Sequence, residues 1–270
     1  PPAEALIVDF TTAEERTKAM GRYGFSWASG FLIGPPVGGL IVEKFNFYTL
    51  FTSASVIGVA ATLVALFGMI RLRRPKPLKQ TYRTGGRLLK PVSSFLPLCV
   101  IVVTYSIALG LVFSIFPAYA SNLGVTSIQV GILFAALGVV RTLTFLQSEA
   151  ISKMGVKQAL SLALMVQAAS LATIAYFTGF PYFVVIMALL GLAIGIFSPL
   201  TLSTASKMAS KDRAGMTVGL VETLFGTGMT VGPLVGGMAA ETLGATSPYL
   251  IIATLSGLSV IPLAAWRRKI

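Results

Sequence analysis

Gly21 to Gly39 reads GRYGFSWASGFLIGPPVGG, and Gly219 to Gly237 reads GLVETLFGTGMTVGPLVGG. Both stretches fit G-x8-G-x3-G-P-x2-G-G, with glycines at 21, 30, 34, 38 and 39 and again at 219, 228, 232, 236 and 237. The constant offset of 198 residues also pairs Pro35 with Pro233, Val37 with Val235 and Glu43 with Glu241. That distance far exceeds the period of a solenoid unit. It points to two homologous halves.

The spacing has a physical meaning. Gly30, Gly34 and Gly38 recur every fourth residue, so on a helix they form one bare stripe, as do Gly228, Gly232 and Gly236. In a membrane such a stripe lets another helix backbone approach closely, where packing replaces the missing hydrophobic drive. Pro35 and Pro233 each remove a backbone donor and bend their helices. Two roles suit the pattern: tight packing alone, or tight packing at an interface that moves.

Composition sets the class. Of 270 residues, 55% are hydrophobic and 11% charged, and the mean hydropathy is +0.83. Soluble domains carry about 25% charged residues. The chain therefore reads as an all-α integral membrane protein. Its net charge of +12 comes from basic residues in short connectors between apolar runs, which argues for membrane topology and against nucleic-acid binding. With no histidine and one cysteine, Cys99, the chain offers no disulfide, no His/Cys metal site and no Ser-His or Cys-His catalysis. No cofactor and no enzymatic activity are expected. Cys99 reads as a small packing residue.

Residues 1–10 resemble the last turns of a helix, and since the first residue is Pro1 the chain reads as a piece lacking its natural N-terminus. Eight complete spans follow, near residues 20–42, 48–70, 92–120, 125–149, 156–178, 181–206, 216–240 and 246–266, each long enough for the roughly 20 residues a bilayer needs. Between the second and third lies RLRRPKPLKQTYRTGGRLLK (71–90), with eight basic residues and no acid. All Lys and Arg except Lys44 and Arg141 fall in alternate connectors. By the positive-inside rule those connectors and the C-terminus are cytoplasmic.

The double glycine motif resembles the antiporter motif of the major facilitator superfamily, carried on helix 5 of its drug-efflux members. Resemblance covers essentially the whole chain. It implies a two-bundle fold: residues 1–70 as the end of helix 4 with helices 5 and 6, residues 71–91 as the cytoplasmic linker, and 92–270 as helices 7 to 12. The second motif then falls on helix 11. Ser148–Lys157 is similar to the family's basic loop between helices 8 and 9; it keeps Lys153, Gly155 and Lys157 but has Ser152 where the acid belongs. The resemblance implies secondary transport of a small organic molecule by alternating access, with the proton as coupling ion and efflux as direction. An importer or uniporter, or a membrane interaction protein that does not transport, remain alternatives.

Charges within spans are costly, about 2.5–3.5 kcal/mol on insertion scales, and so mark functional candidates. Arg141 lies two turns inside its span. Glu222 lies about nine residues in from Arg213, roughly 13 Å along a helix. Both are expected to face a wet cavity and to pair in one conformation, with structural snorkelling as the plainer reading. Trp27, Tyr105 and Phe225, with Phe113 and Phe116, are candidates for an apolar substrate pocket or for packing. Asp9 and Glu149 sit at span ends. Tyr249 and Trp266 read as interfacial anchors, Gln147 and Gln167 as interhelical hydrogen-bonding groups, and Pro199 as a kink or hinge.

Overall fold

The computed structural model describes residues 13–71, 95–208 and 214–266. Pro1–Phe10 with Asp9, most of the basic linker, and 209–213 lie outside the described residues, as does the side chain of Trp27. Among the described residues every element is a helix: α1 (Ala13–Lys44), α2 (Phe47–Arg71), α3 (Leu96–Ser114), α4 (Phe116–Asn122), α5 (Ser127–Leu146), α6 (Ser148–Lys153), α7 (Val156–Ile174), α8 (Phe180–Met208), α9 (Ala214–Leu243), α10 (Ser247–Leu258) and α11 (Val260–Ala264).

Each of the eight spans read from the sequence corresponds to one helical rod. Two rods are interrupted by a single residue, at Ile115 between α3 and α4 and at Ser259 between α10 and α11. Both breaks have a local cause. Pro117 and Pro262 lack the N–H that would bond Phe113 and Leu258, so the ladder cannot run through. Among the described residues six rods are long and apolar enough to cross a bilayer by length and composition. The chain is a multi-pass integral membrane protein.

The core lies within the segment 95–266. There α5 packs on α8, α8 on α7, α7 on α10, and α9 on both α3 and α8. Leu98, Ile101, Leu133, Leu137, Leu160, Leu164 and Phe197 are fully or almost fully buried between them. The segment 13–71 joins through α1, which lies antiparallel along α5. Among the described residues α2 packs mainly on α1, and Phe51, Ile57, Val64 and Phe67 are exposed around it.

The two glycine motifs work differently. In α9, Gly228, Gly232 and Gly236 face α3: a methyl built on Gly232 would lie 3.1 Å from the carbonyl carbon of Ile107. Here the stripe is a packing surface. In α1 the equivalent Gly30 and Gly34 have nothing within 4 Å among the described residues, and it is Gly39 that meets α5, where a methyl would lie 3.0 Å from Cα of Ile128. The reciprocal contact is Gly131, whose added methyl would meet Cα of Pro36 at 2.8 Å.

Several readings are corrected by the packing. Tyr249 and Trp266 are not interfacial anchors but buried, at 0% and 5% exposure, with the Tyr249 ring 5.2 Å from that of Tyr119. Of the two roles open to Phe116 the structure shows packing: it is fully buried, edge-on to Phe183 at 5.2 Å. Gln167 does bond across helices, donating from Nε2 to Ser256 Oγ at 2.8 Å, whereas Gln147 is exposed at the end of α5. Gly155 turns the chain between α6 and α7 at φ +96°, a conformation L side chains rarely adopt.

Candidate functional site

Tyr105 on α3 is the hub of the candidate site. Its ring is 3% exposed, 4.7 Å from Phe197 of α8 and 5.6 Å from Phe225 of α9. Ser198 follows Phe197 on α8, and Glu222 lies one turn before Phe225 on α9. Three helices thus meet at one ring: α3, α8 and α9. Phe225 is half-buried and Glu222 exposed on the same helix.

Small residues set the spacing of α5 beside α8. Gly191 and Gly195 on α8 lie against α5, where a methyl on Gly195 would stand 2.8 Å from the carbonyl oxygen of Arg141. Bulk at either glycine would push α5, and Arg141 with it, away from α8. Two residues beyond Pro199, the Thr201 hydroxyl donates to the carbonyl of Phe197 at 2.7 Å, a bond back to the preceding turn of α8.

Arg141 is half-buried, and its guanidinium carbon lies 5.5 Å from the centre of the Phe31 ring on α1. That is cation–π range. Phe31 in turn meets Phe113 edge-on at 5.9 Å, and Phe113 stacks on Phe134 at 5.3 Å. An aromatic strip therefore runs from α1 through α3 to α5, with the arginine at one end. The site's chemistry is a cation, a carboxylate, a phenol and several aromatic faces. Among the described residues no group of three His, Cys, Asp or Glu side chains is arranged to hold a metal.

Of the residues singled out from sequence, Tyr105 and Phe225 are in ring contact, Glu222 lies one turn from Phe225 on α9, and Arg141 lies over Phe31. Sequence reasoning missed Phe31, Phe197 and Ser198. Phe31 could have been found as the residue between two motif glycines, and Phe197-Ser198 as the pair before Pro199. The motif residues Gly21 and Gly219 lie on α1 and α9 outside this cluster.

Residues 1–98 and 98–270 match the family model of the Major Facilitator Superfamily. Multidrug resistance protein 2 of Bacillus subtilis (strain 168) is 24% identical over 279 residues, spanning 100% of this chain and 69% of its own length. The proton-coupled antiporter flippase LtaA of Staphylococcus saprophyticus is 25% identical over 253 residues, covering 89% of this chain and 61% of its own. The solved structure of the human organic anion transporter MFSD10 (TETRAN) shares the fold at a TM-score of 0.67 and 20% identity, over 96% of this chain and 66% of that one. The chain thus spans about two thirds of the length of these relatives. With a family match running from end to end on an all-helical membrane fold, this chain belongs to the Major Facilitator Superfamily of membrane transporters.

Proposed function

We propose that the protein is a secondary active transporter that exports a small organic solute in exchange for protons, by alternating access. The observation that carries the reading is the aromatic cluster on α3, α8 and α9: the Tyr105 ring lies 4.7 Å from Phe197 and 5.6 Å from Phe225, and the exposed carboxylate of Glu222 is one turn before Phe225 on the same helix. A lipophilic solute would bind against the half-buried Phe225 and the edge of Tyr105, backed by the buried Phe197, and Glu222 would select for positive charge or carry the coupling proton. Residues 1–70 and 92–270 would belong to two bundles that rock about this point, tethered by the linker 71–91. The basic connectors would face the cytoplasm.

Relatives bearing the names multidrug resistance protein and proton-coupled antiporter support export and proton coupling. The test is reconstitution of the intact protein in liposomes, with an imposed pH gradient and a panel of lipophilic cations. Gradient-driven movement that Glu222→Gln abolishes is the expected result. Movement indifferent to the gradient would make the protein a uniporter and return Glu222 to a structural role.

A further inference from the structure

One contact between α1 and α5 differs in kind from the others. Oε2 of Glu43, next to the last residue of α1, accepts a hydrogen bond at 2.9 Å from the backbone N–H of Ile128, the second residue of α5. The first N–H groups of a helix have no partner within it and carry its positive dipole end. A carboxylate there satisfies a donor and meets a favourable charge. The neighbouring N–H of Gln129 is already held inside α5, by a capping box with Thr126. Glu43 fills what that box leaves open.

The choice of residue at the second position of α5 sharpens the point. Four other helices, α3, α4, α8 and α10, carry proline there (Pro97, Pro117, Pro181 and Pro248) and so present no N–H at all. In α5 the donor is present, and a residue 85 positions away in sequence takes it. The approach is prepared along α1 at every fourth residue. Phe31 lies over Gly138, Pro35 over Gly131, Gly39 over Ser127, and Glu43 closes the row. This is also the main contact between the segments on either side of the basic linker.

We propose that Glu43 is a latch residue. By holding the Ile128 N–H it keeps α1 and α5 shut at the end of the bundle away from the basic linker, and its release accompanies opening of that end. The inference rests on the alternating-access reading given above. Glu43 is exposed to solvent, so its bond can break and re-form without stranding a charge in lipid. Its position at the tip of a 32-residue helix makes it a good reporter of that helix's angle: separation at Glu43 is larger than at Phe31 for the same tilt.

The test reads a distance rather than a flux. Spin labels at Phe45→Cys and Leu123→Cys, both exposed and flanking the contact, are placed in a Cys99→Ala background of the intact protein in liposomes. Pulsed electron paramagnetic resonance then gives the ratio of open to closed populations. Glu43→Ala should raise that ratio roughly three- to tenfold, the range for a charge-assisted bond at an exposed site. Glu43→Gln, which keeps an acceptor and loses the charge, should fall between.

Ile128→Pro removes the donor at a position where four other helices already carry proline and should reproduce the Glu43→Ala shift, and the double variant should go no further than either single one. An unchanged ratio in Glu43→Ala overturns the proposal. So do shifts that simply add in the double variant. A protein whose labels open and close but which moves no lipophilic cation sinks the proposed transport function and leaves the latch standing.

Discussion

Arg141 stands over the face of Phe31, with 5.5 Å between the guanidinium carbon and the ring centre. The arginine belongs to α5 and the ring to the first glycine motif on α1, so an intramembrane cation is seated on the helix it packs against. This gives a double-mutant cycle a definite expectation. Phe31→Leu and Arg141→Gln should each destabilise the protein, and their coupling should be about 0.5–2 kcal/mol. Thermal unfolding in detergent measures it. A coupling near zero would mean that the two side chains are neighbours without being partners.

The glycine contacts predict a sharp contrast between positions. A methyl at Gly39 meets the backbone of Ser127 and Ile128, which cannot swing aside as a side-chain tip could. Gly39→Ala should therefore cost about 1–3 kcal/mol, the usual range for overpacking. Gly58, on the exposed helix α2, has nothing within 4 Å. Gly58→Ala should be neutral or slightly stabilising, because alanine is the better helix former by about 1 kcal/mol. Equal effects at the two sites would refute the close approach of α1 and α5.

Much of this architecture was legible because the membrane imposes it. Apolar runs, basic connectors and the 198-residue repeat sufficed for the eight rods, since a bilayer allows few alternatives. Which face of each glycine helix would be occupied could not be read, because the same motif seats its partner at different positions: Gly232 meets α3, whereas on α1 it is Gly39 that meets α5. Tyr249 and Trp266 show the same limit. Their places at span ends suggested water-facing anchors, but burial is decided by neighbouring helices far off in sequence, such as the one carrying Tyr119. At the candidate site the charges Arg141 and Glu222 stood out by their cost in lipid, whereas Phe31 and Phe197 were two among 17 phenylalanines.

Gln167 offers a test of how polar pairs hold helices together in this protein. It is 1% exposed and donates to Ser256 Oγ, which itself donates to the carbonyl of Ile252. Gln167→Met keeps most of the volume and removes the bond between α7 and α10. Because Ser256 keeps its own partner, no buried donor is stranded, and the loss should stay within about 0.6–1.7 kcal/mol. A loss above about 3 kcal/mol in a detergent unfolding series would show that Gln167 does more than pair with Ser256.

Tyr105 separates the roles of ring and hydroxyl at the proposed substrate site. Tyr105→Phe keeps the contacts with Phe197 and Phe225 and removes only the hydroxyl. If substrate rests on the aromatic faces, this variant should bind a lipophilic cation within about twofold of the parent while turning over more slowly, since only the hydroxyl, worth about 1 kcal/mol, is gone. Tyr105→Ala removes a face and disturbs two neighbouring rings. An aromatic contact worth about 1.4 kcal/mol corresponds to a tenfold change in affinity, so its KM should rise by at least that factor. Parent-like affinity in Tyr105→Ala, with the protein still folded, would move the substrate away from α3 and leave the aromatic cluster as packing.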